Sequence, residues 1–216
     1  MRTRIKFCGC TNPADARAAV ELGVDAVGVI FAASSPRHVS ASAALEIARA
    51  VPAYTTLVGV FVHPAAAHVR EALAAGYRPQ FSGNESADDC ESMTAGSAYV
   101  KVFHLAPEDD GGQLDPLEFE RHAAPYTRAT WMFDTSVEGK PGGTGRTFAW
   151  DLARAAAGRR PVIVSGGLTP ENVGACIRRL RPYGVDVRSG IETGGVKDLE
   201  KMRAFVRAVK EADEQA

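Results

Sequence analysis

Short runs of apolar and β-branched residues alternate along the chain with longer, alanine-rich stretches that have helical periodicity. We predict that each short run is a strand and that a helix follows it. The predicted strands cover residues 4–8, 25–31, 56–62, 78–82, 98–103, 129–134, 161–165 and 184–189. Eight strand–helix units in about 210 residues predict an α/β fold, a single-domain (β/α)8 TIM barrel over residues 1–216.

Residues that favour helix ends support this segmentation. In "NPADARAAVELG", Asn12 is the expected N-cap, Pro13 the first helical residue, and Gly23 the stop. The segment "TPENVGACIRRL" repeats the pattern, with Thr169 as the expected cap. A doubly wound open sheet is disfavoured, because no G-x-G-x-x-G sequence follows the first strand.

Composition narrows the possible functions. The formal charge is −1, and acidic and basic residues are mixed along the chain. This pattern gives no basic surface that could bind nucleic acid. No apolar run approaches the length of a membrane span, and the N-terminus lacks the apolar core of a signal peptide. We therefore expect a cytoplasmic protein. The four cysteines have neither a disulfide framework nor zinc-ligand spacing, so we expect no metal site.

Catalytic groups of such a barrel lie where its strands end. Strand alternation places Lys6 and Cys8 on one face of the first strand, with the apolar Ile5 on the other. Met132 and Asp134 share a face of the sixth strand in the same way. The sequence therefore predicts a thiol and a carboxylate at the mouth of the barrel.

Glycine-rich loops follow the last strands. "SGGLTPEN" (165–172) and "SGIETGG" (189–195) follow strands 7 and 8, where barrels of this type commonly bind phosphate through backbone N–H groups. "PGGTG" (141–145) follows strand 6. Arg37, in the loop after strand 2, is of a type that grips carboxylate or phosphate with two hydrogen bonds.

The blocks "KFCGCTNPADA", "GVDAVGVIFAASSPRHVS", "DTSVEGKPGGTGRTFAWDL", "SGGLTPENV" and "GVDVRSGIETGGVKDLEKMRAFV" together resemble the phosphoribosylanthranilate isomerase family of tryptophan biosynthesis. The resemblance spans essentially the whole chain in the same order. It implies a (β/α)8 barrel that uses no cofactor. It also implies an aldose–ketose isomerase whose reaction is an Amadori rearrangement of N-(5-phosphoribosyl)anthranilate, a small phosphorylated aminosugar.

The resemblance also implies residue roles. Cys8 would be the general base, Asp134 the general acid, and Arg37 a ligand of the anthranilate carboxylate. The phosphate would rest on the backbone of two loops, and three further glycines would shape a loop over the site. These positions are Gly166, Gly167, Ser189 and Gly190 for the phosphate and Gly142, Gly143 and Gly145 for the loop.

The chemistry agrees with the two groups found by alternation. An acid protonates the sugar ring oxygen as the ring opens to a Schiff base, and a base then removes the proton on C2. A thiol acts as a base only as thiolate, of which about a tenth is present at pH 7.5 for a reference pKa near 8.5. Lys6, on the same face as Cys8, is a candidate for electrostatic support.

The chain departs from the family pattern at several positions. Ser82 and Asn84 replace a histidine and an aspartate at the end of strand 4, Ser165 replaces the usual alanine, and Arg188 replaces a serine. By alternation Asp186 and Arg188 share a face, so we expect Arg188 to enter the mouth. Arg188 then either contacts the substrate or pairs with Asp186 or Glu192.

Three alternatives stay open at this stage. A paralogue would keep the Amadori chemistry but take a different N-linked aminoribose phosphate in the pocket altered at Ser82 and Arg188. The related aminoribonucleotide isomerase of histidine biosynthesis uses a pair of aspartates at strands 1 and 6. Cys8 at the strand 1 position argues against this alternative. A non-catalytic phosphate-binding barrel is disfavoured because both Cys8 and Asp134 are present. The sequence leaves the oligomeric state open.

Overall fold

Eight strands of the computed structural model, which describes residues 2–105, 116–134 and 150–215, form a closed barrel in the order of the chain. Successive strands pair in parallel; Lys6 lies opposite Ala26, for example, and Asp134 opposite Ser165. The α/β barrel predicted from the sequence is confirmed. The strands are β1 Arg4–Phe7, β2 Ala26–Ile30, β3 Thr56–Phe61, β4 Arg78–Phe81, β5 Tyr99–His104, β6 Ala129–Asp134, β7 Val162–Ser165 and β8 Gly184–Val187.

A helix follows each strand along the chain. The helices are α1 Pro13–Glu21, α2 Ala41–Ala50, α3 Ala66–Ala74, α4 Ala87–Thr94, α5 Pro116–Ala123, α6 Trp150–Ala157, α7 Val173–Leu180 and α8 Leu199–Glu214. Between β8 and α8 the chain forms a 3₁₀ turn, Ser189–Ile191, and a short antiparallel pair, β9 Glu192–Thr193 and β10 Val196–Lys197.

The ends of α1 form as their residues predict. The side chain of Asn12 accepts hydrogen bonds from the backbone N–H groups of Ala14 and Asp15, at 2.9 and 3.0 Å. At the other end Gly23 has a φ of 80°, which its missing Cβ permits, and its N–H donates to the carbonyl of Val20. Both predicted signals are confirmed.

The predicted start of α7 is wrong. The helix begins at Val173 with Asn172 at the N-cap, whereas the sequence pattern placed the cap at Thr169. The side chain of Asn172 accepts from the N–H of Thr169 at 2.8 Å and donates to the carbonyl of Gly167 at 2.9 Å. Residues 169–172 therefore form a separate turn, tied to the loop after β7.

Contacts between residues group the chain into two compact units. One unit comprises residues 5–102 and 128–130. Its core contains a row of aromatic rings on neighbouring strands: Phe31 stacks on Phe61 at 5.2 Å between ring centroids, and Phe81 meets Tyr99 edge-on at 5.6 Å. These contacts hold β2 to β5 in register.

The other unit comprises residues 1–4, 103–127 and 131–216, as far as they are described. Phe103 of β5 and Trp131 and Phe133 of β6 pack on Phe119 of α5, which identifies the face of β6 that meets the helices. The C-terminal helix α8 is tied to the start of the chain, where Asp213 accepts hydrogen bonds from the backbone and hydroxyl of Thr3.

Candidate active site

Cys8 follows the last residue of β1, on the same face of the strand as Lys6. A Cβ built on Gly28 would lie 3.0 Å from Cε and Nζ of Lys6 and 3.1 Å from Cα of Cys8. Glycine at position 28 therefore makes room for the lysine side chain. Cys8 is 6 % exposed and belongs to an apolar cluster with Ile30, Ala32 and Val60.

The second thiol of the C-x-C pair lies apart from the first. Gly9 turns the chain with a φ of 75°, and the N–H of Cys10 then donates to the carbonyl of Gly28 at 3.0 Å. Cys10 is fully buried, with its sulfur 4.0 Å from the carbonyl oxygen of Phe7. The environment of Cys10 is that of a small core residue.

The loop that carries Arg37 begins after Ile30, and its other end is bonded back to Ile30. Val39 donates its N–H to the carbonyl of Ile30 at 3.0 Å, and His38 forms an isolated parallel bridge with Ile30. Within the loop, the N–H of Arg37 donates to the Ser35 hydroxyl at 3.1 Å. Because Ile30 also contacts the cluster around Cys8, the half-buried Arg37 is anchored in the same part of this unit.

Ser82 follows β4 and is held by hydrogen bonds from two directions. Its N–H donates to the carbonyl of Phe61 on β3 at 2.8 Å, and the side-chain amide of the buried Gln80 donates to its hydroxyl at 3.2 Å. The Ser82 hydroxyl proton is therefore directed away from Gln80.

A buried ion pair near Ser82 was not predicted from the sequence. Lys101 of β5 and Glu85, in the loop after β4, are joined at 3.0 Å with side chains 4 % and 3 % exposed. Lys101 itself could have indicated this pair, because it is a charged residue on the helix-facing side of β5, the side that also carries Tyr99 and Phe103. A buried lysine requires an anionic partner.

Asp134 ends β6 on the face opposite the aromatic contacts with α5. Trp131 and Phe133 make those contacts, so alternation turns Met132 and Asp134 to the other side. Asp134 lies opposite Ser165 in the parallel register of β6 and β7, which places their two side chains next to each other on one face. Asp134 is half-buried and Ser165 is buried.

The glycine loops after β7 and β8 meet closely. Gly166 and Gly167 have φ values of 90° and 62°, in the left-handed region that glycine adopts without strain. A Cβ built on Gly190 would lie 1.9 Å from the carbonyl oxygen of Leu168, so only glycine fits there. A cavity of about 360 Å³ opens at this junction, lined by Gly167, Leu168, Thr169, Pro170, Glu171, Ser189, Gly190 and Lys201.

Two charged side chains border this cavity. A hydrogen bond from the Thr169 side chain is the main cause that lowers the pKa of Glu171 below its ordinary value. The ammonium group of Lys201 donates to the carbonyl of Glu192 at 2.8 Å. The lining of the cavity thus includes one acidic and one basic side chain.

Arg188 is the first residue after β8. The strand β8 ends at Val187, and Arg188 is an exposed residue that precedes the 3₁₀ turn. The buried Glu192, one expected partner of Arg188, is paired with Lys197 at 2.8 Å, and Lys197 also donates to the Arg188 carbonyl. Asp186 is buried on β8, 7 % exposed.

The remaining site predictions fall outside what is described. Gly142, Gly143 and Gly145 lie in the segment 135–149, which the structure does not describe. Among the described residues, no three His, Cys, Asp or Glu side chains are grouped as metal ligands, and no helix is both long and apolar enough to cross a membrane.

Comparison with known proteins gives one consistent answer. Residues 5–208 match the family model described as N-(5'-phosphoribosyl)anthranilate (PRA) isomerase. A relative named N-(5'-phosphoribosyl)anthranilate isomerase, from Pseudomonas aeruginosa (strain UCBPP-PA14), is 43% identical over 211 residues, which cover 96% of this chain and 95% of the relative.

Solved structures agree with the sequence comparison. The crystal structure of phosphoribosyl anthranilate isomerase from Thermotoga maritima has a TM-score of 0.84 and 33% identity, over 97% of this chain and 99% of that one. A phosphoribosyl anthranilate isomerase in complex with reduced 1-(o-carboxyphenylamino)-1-deoxyribulose 5-phosphate has a TM-score of 0.78 and 30% identity, with the same coverage. This chain is therefore a member of the N-(5'-phosphoribosyl)anthranilate isomerase family, whose members are enzymes.

Proposed function

We propose that the protein isomerises N-(5-phosphoribosyl)anthranilate to 1-(2-carboxyphenylamino)-1-deoxyribulose 5-phosphate in tryptophan biosynthesis. The observation that carries the proposal is family membership over nearly the whole chain, combined with a thiol and a carboxyl group that each end a barrel strand. Both groups have the chemistry that an Amadori rearrangement requires.

In the proposed reaction Asp134 acts first, as the acid. Its carboxyl proton passes to the ring oxygen of the ribose as the C1–O bond opens, which leaves a protonated Schiff base between C1 and the aryl nitrogen. Ser165 lies next to Asp134 in the register of β6 and β7. The positive nitrogen then withdraws electrons from C2, so that the proton on C2 becomes acidic.

Cys8 acts second, as the base. Its thiolate removes the proton from C2, and the electron pair moves through C1 to neutralise the nitrogen, which gives an enolamine. Protonation of C1 and loss of the hydroxyl proton on C2 yield the ketone. The starting material and product are isomers, so no external oxidant or reductant enters the balance. The electrostatic support of the thiolate is assigned to Lys6, on the same face of β1.

The substrate phosphate is assigned to the backbone of Gly166, Gly167, Ser189 and Gly190. The glycines after β7 have a left-handed backbone, and the close approach at Gly190 fixes the second loop against the first. Arg37 is assigned to the anthranilate carboxylate, and Ser82 to a hydroxyl contact with the substrate. The exposed guanidinium of Arg188 is assigned to the substrate anion at the rim.

We further propose that the enzyme works in the cytoplasm as one domain over residues 1–216. All four cysteines are free thiols, which suits a reducing compartment.

Turnover is tested by adding N-(5-phosphoribosyl)anthranilate to the purified protein and following the loss of anthranilate-type fluorescence, with chromatographic identification of the product. We expect conversion to the carboxyphenylamino deoxyribulose phosphate. Binding of the reduced product analogue without any turnover would contradict the proposed substrate. It would favour a different N-linked aminoribose phosphate, with Ser82→His and Arg188→Ser as the variants to examine next.

A further inference from the structure

Lys201, near the start of α8, lines the cavity between the loops after β7 and β8. The same cavity is lined by Gly167, Ser189 and Gly190, three of the residues to which the substrate phosphate is assigned. Its volume of about 360 Å³ far exceeds the share of one water molecule in the liquid, about 30 Å³, so a phosphate group has room there. A basic side chain therefore borders the space proposed for the phosphate, within one compact unit.

The described contacts hold Lys201 at both ends. Its backbone N–H donates to the side chain of Asp198 at 3.2 Å, and its ammonium group donates to the carbonyl of Glu192 at 2.8 Å. An ammonium group has three N–H donors, and the bond to Glu192 occupies one of them. The side chain is thus ordered before a ligand arrives, which lowers the entropy lost on binding.

The stability of α8 does not explain a lysine at this position. Lys201 lies in the first turn, where the positive end of the helix dipole favours anions and disfavours cations. Asp198 already caps this end, since its carboxylate accepts the N–H groups of Glu200 and Lys201. A cation at position 201 gains nothing from the dipole, whereas it would be stabilised by an anion in the adjacent cavity.

The acidic residue of the cavity acts in the opposite sense. Glu171 belongs to the same lining, and its carboxylate accepts a hydrogen bond from the Thr169 side chain. A carboxylate repels a bound anion, so the cation opposite in sign is needed for a net attraction. The two side chains therefore give two substitutions with opposite expected effects on the same ligand.

We propose that Lys201 binds the phosphate group of the substrate, together with the backbone of the loops after β7 and β8. The proposal deepens the proposed function and rests on its assignment of the phosphate to these loops. A phosphate monoester has three acceptor oxygens and close to two negative charges. One oxygen can accept from the ammonium group while the others accept from backbone N–H groups.

Calorimetric titration with inorganic phosphate and with ribulose 5-phosphate tests this assignment without any turnover. In Lys201→Met we expect the Kd of both ligands to rise about tenfold, because a hydrogen bond from a charged donor is lost. In about 0.5 M sodium chloride the difference from the wild type should shrink to about threefold, since salt screens exposed charges.

Lys210→Met is the matched control, because it removes the same charge from an exposed lysine further along the same helix. Both Kd values should stay within about twofold of the wild type in this variant. Glu171→Gln should lower both Kd values by about threefold, since it removes a negative charge from the cavity. In the isomerisation, Lys201→Met should raise KM and change kcat little, because the phosphate is remote from the bonds that change at C1 and C2.

Two results overturn the role of Lys201 alone. The first is a Kd for inorganic phosphate in Lys201→Met that equals the value in Lys210→Met. The second is a weakening that is just as large in high salt, which would show a loss of loop structure and not of charge.

Other results separate this proposal from the proposed function. A wild type that binds neither inorganic phosphate nor ribulose 5-phosphate overturns both the assignment of the phosphate loops and the role of Lys201. A wild type that binds both ligands through Lys201 but does not isomerise phosphoribosylanthranilate overturns the proposed function and supports the role of Lys201.

Discussion

Cys8 and Cys10 are one residue apart, yet they lie in different environments. The left-handed turn at Gly9 sends the chain away from the barrel axis, so that Cys8 stays at the end of β1 and Cys10 enters the core. The same local rule explains Lys6, which shares the face of Cys8 and fills the space that Gly28 leaves. Chemistry at this strand end therefore depends on the identity of single residues.

Gly190 provides a prediction at this scale. Replacement by alanine would put a Cβ 1.9 Å from the Leu168 carbonyl oxygen, and neither backbone segment moves easily. We expect Gly190→Ala to lower the free energy of unfolding by about 3 kcal/mol or more. KM should also rise, because the two loops proposed to hold the phosphate separate. Urea denaturation and steady-state kinetics measure the two effects.

Gly174 is the control for this substitution. In α7 the nearest atom to an added Cβ would be the flexible end of Arg178 at 3.2 Å, and the Cβ of Ala212 and the carbonyl oxygen of Ala208 would lie at ordinary contact distances of 3.8 and 3.9 Å. Gly174→Ala should therefore stabilise the protein by about 0.5–1 kcal/mol and leave KM unchanged. A Gly190→Ala variant as stable as Gly174→Ala would show that the two loops are not in contact.

Alternation along the strands predicted which residues share a face, because the two-residue period of a strand is set by the backbone alone. It placed Lys6 with Cys8 and Met132 with Asp134. Arg188 is, like Cys8, the first residue after its strand, and it is exposed. The Lys101–Glu85 pair was missed for a different reason: a contact between residues 16 positions apart depends on tertiary packing that no local pattern encodes.

At the scale of elements, the two asparagine caps differ in what they hold. Asn12 satisfies N–H groups of its own helix, as the sequence predicts for Asn followed by Pro. Asn172 instead bonds to Thr169 and Gly167, in the loop that precedes its helix. The sequence showed a start signal in each case, but the three-residue shift of α7 follows from that loop contact, which propensity does not reveal.

This difference predicts different effects of the same substitution. Asn172→Ala removes both hydrogen bonds that shape the glycine loop, so we expect KM to rise about tenfold and the free energy of unfolding to fall by about 1–2 kcal/mol. Asn12→Ala should lower the free energy of unfolding by about 1 kcal/mol and leave KM as it is. Equal KM values for the two variants would argue against a phosphate site at this loop.

At the scale of the whole molecule, two buried thiols make the free energy of unfolding depend on pH in the alkaline range. Burial raises the pKa of Cys90 and of Cys176 to about 12, from an ordinary value near 9. Between these values the unfolded chain has released the thiol protons and the folded chain still holds them. The free energy of unfolding therefore falls as pH rises from about 9 to 12.

The size of this coupling is measurable by urea denaturation. From pH 8 to pH 10 we expect each thiol to remove about 1 kcal/mol from the free energy of unfolding. Cys176→Ala is less stable at every pH because it leaves a cavity, but it should lose about 1 kcal/mol less than the wild type over that interval. An identical loss in both proteins would show that Cys176 is not protected from ionisation.

The whole barrel was predictable because eight repeats of one strand–helix pattern leave few alternative architectures. Each unit needs its apolar strand covered by a helix, and closure of the sheet removes both of its edges.

The central claim, that Cys8 and Asp134 are the base and acid of the isomerisation, is tested most directly by kcat/KM for phosphoribosylanthranilate in three variants. We predict that Cys8→Ser and Asp134→Asn each lower kcat/KM by about 10²–10⁴-fold with the fold intact. Cys10→Ser, which alters the neighbouring buried thiol, should stay within about threefold of the wild type. Activity of either Cys8→Ser or Asp134→Asn at the level of Cys10→Ser would contradict the account.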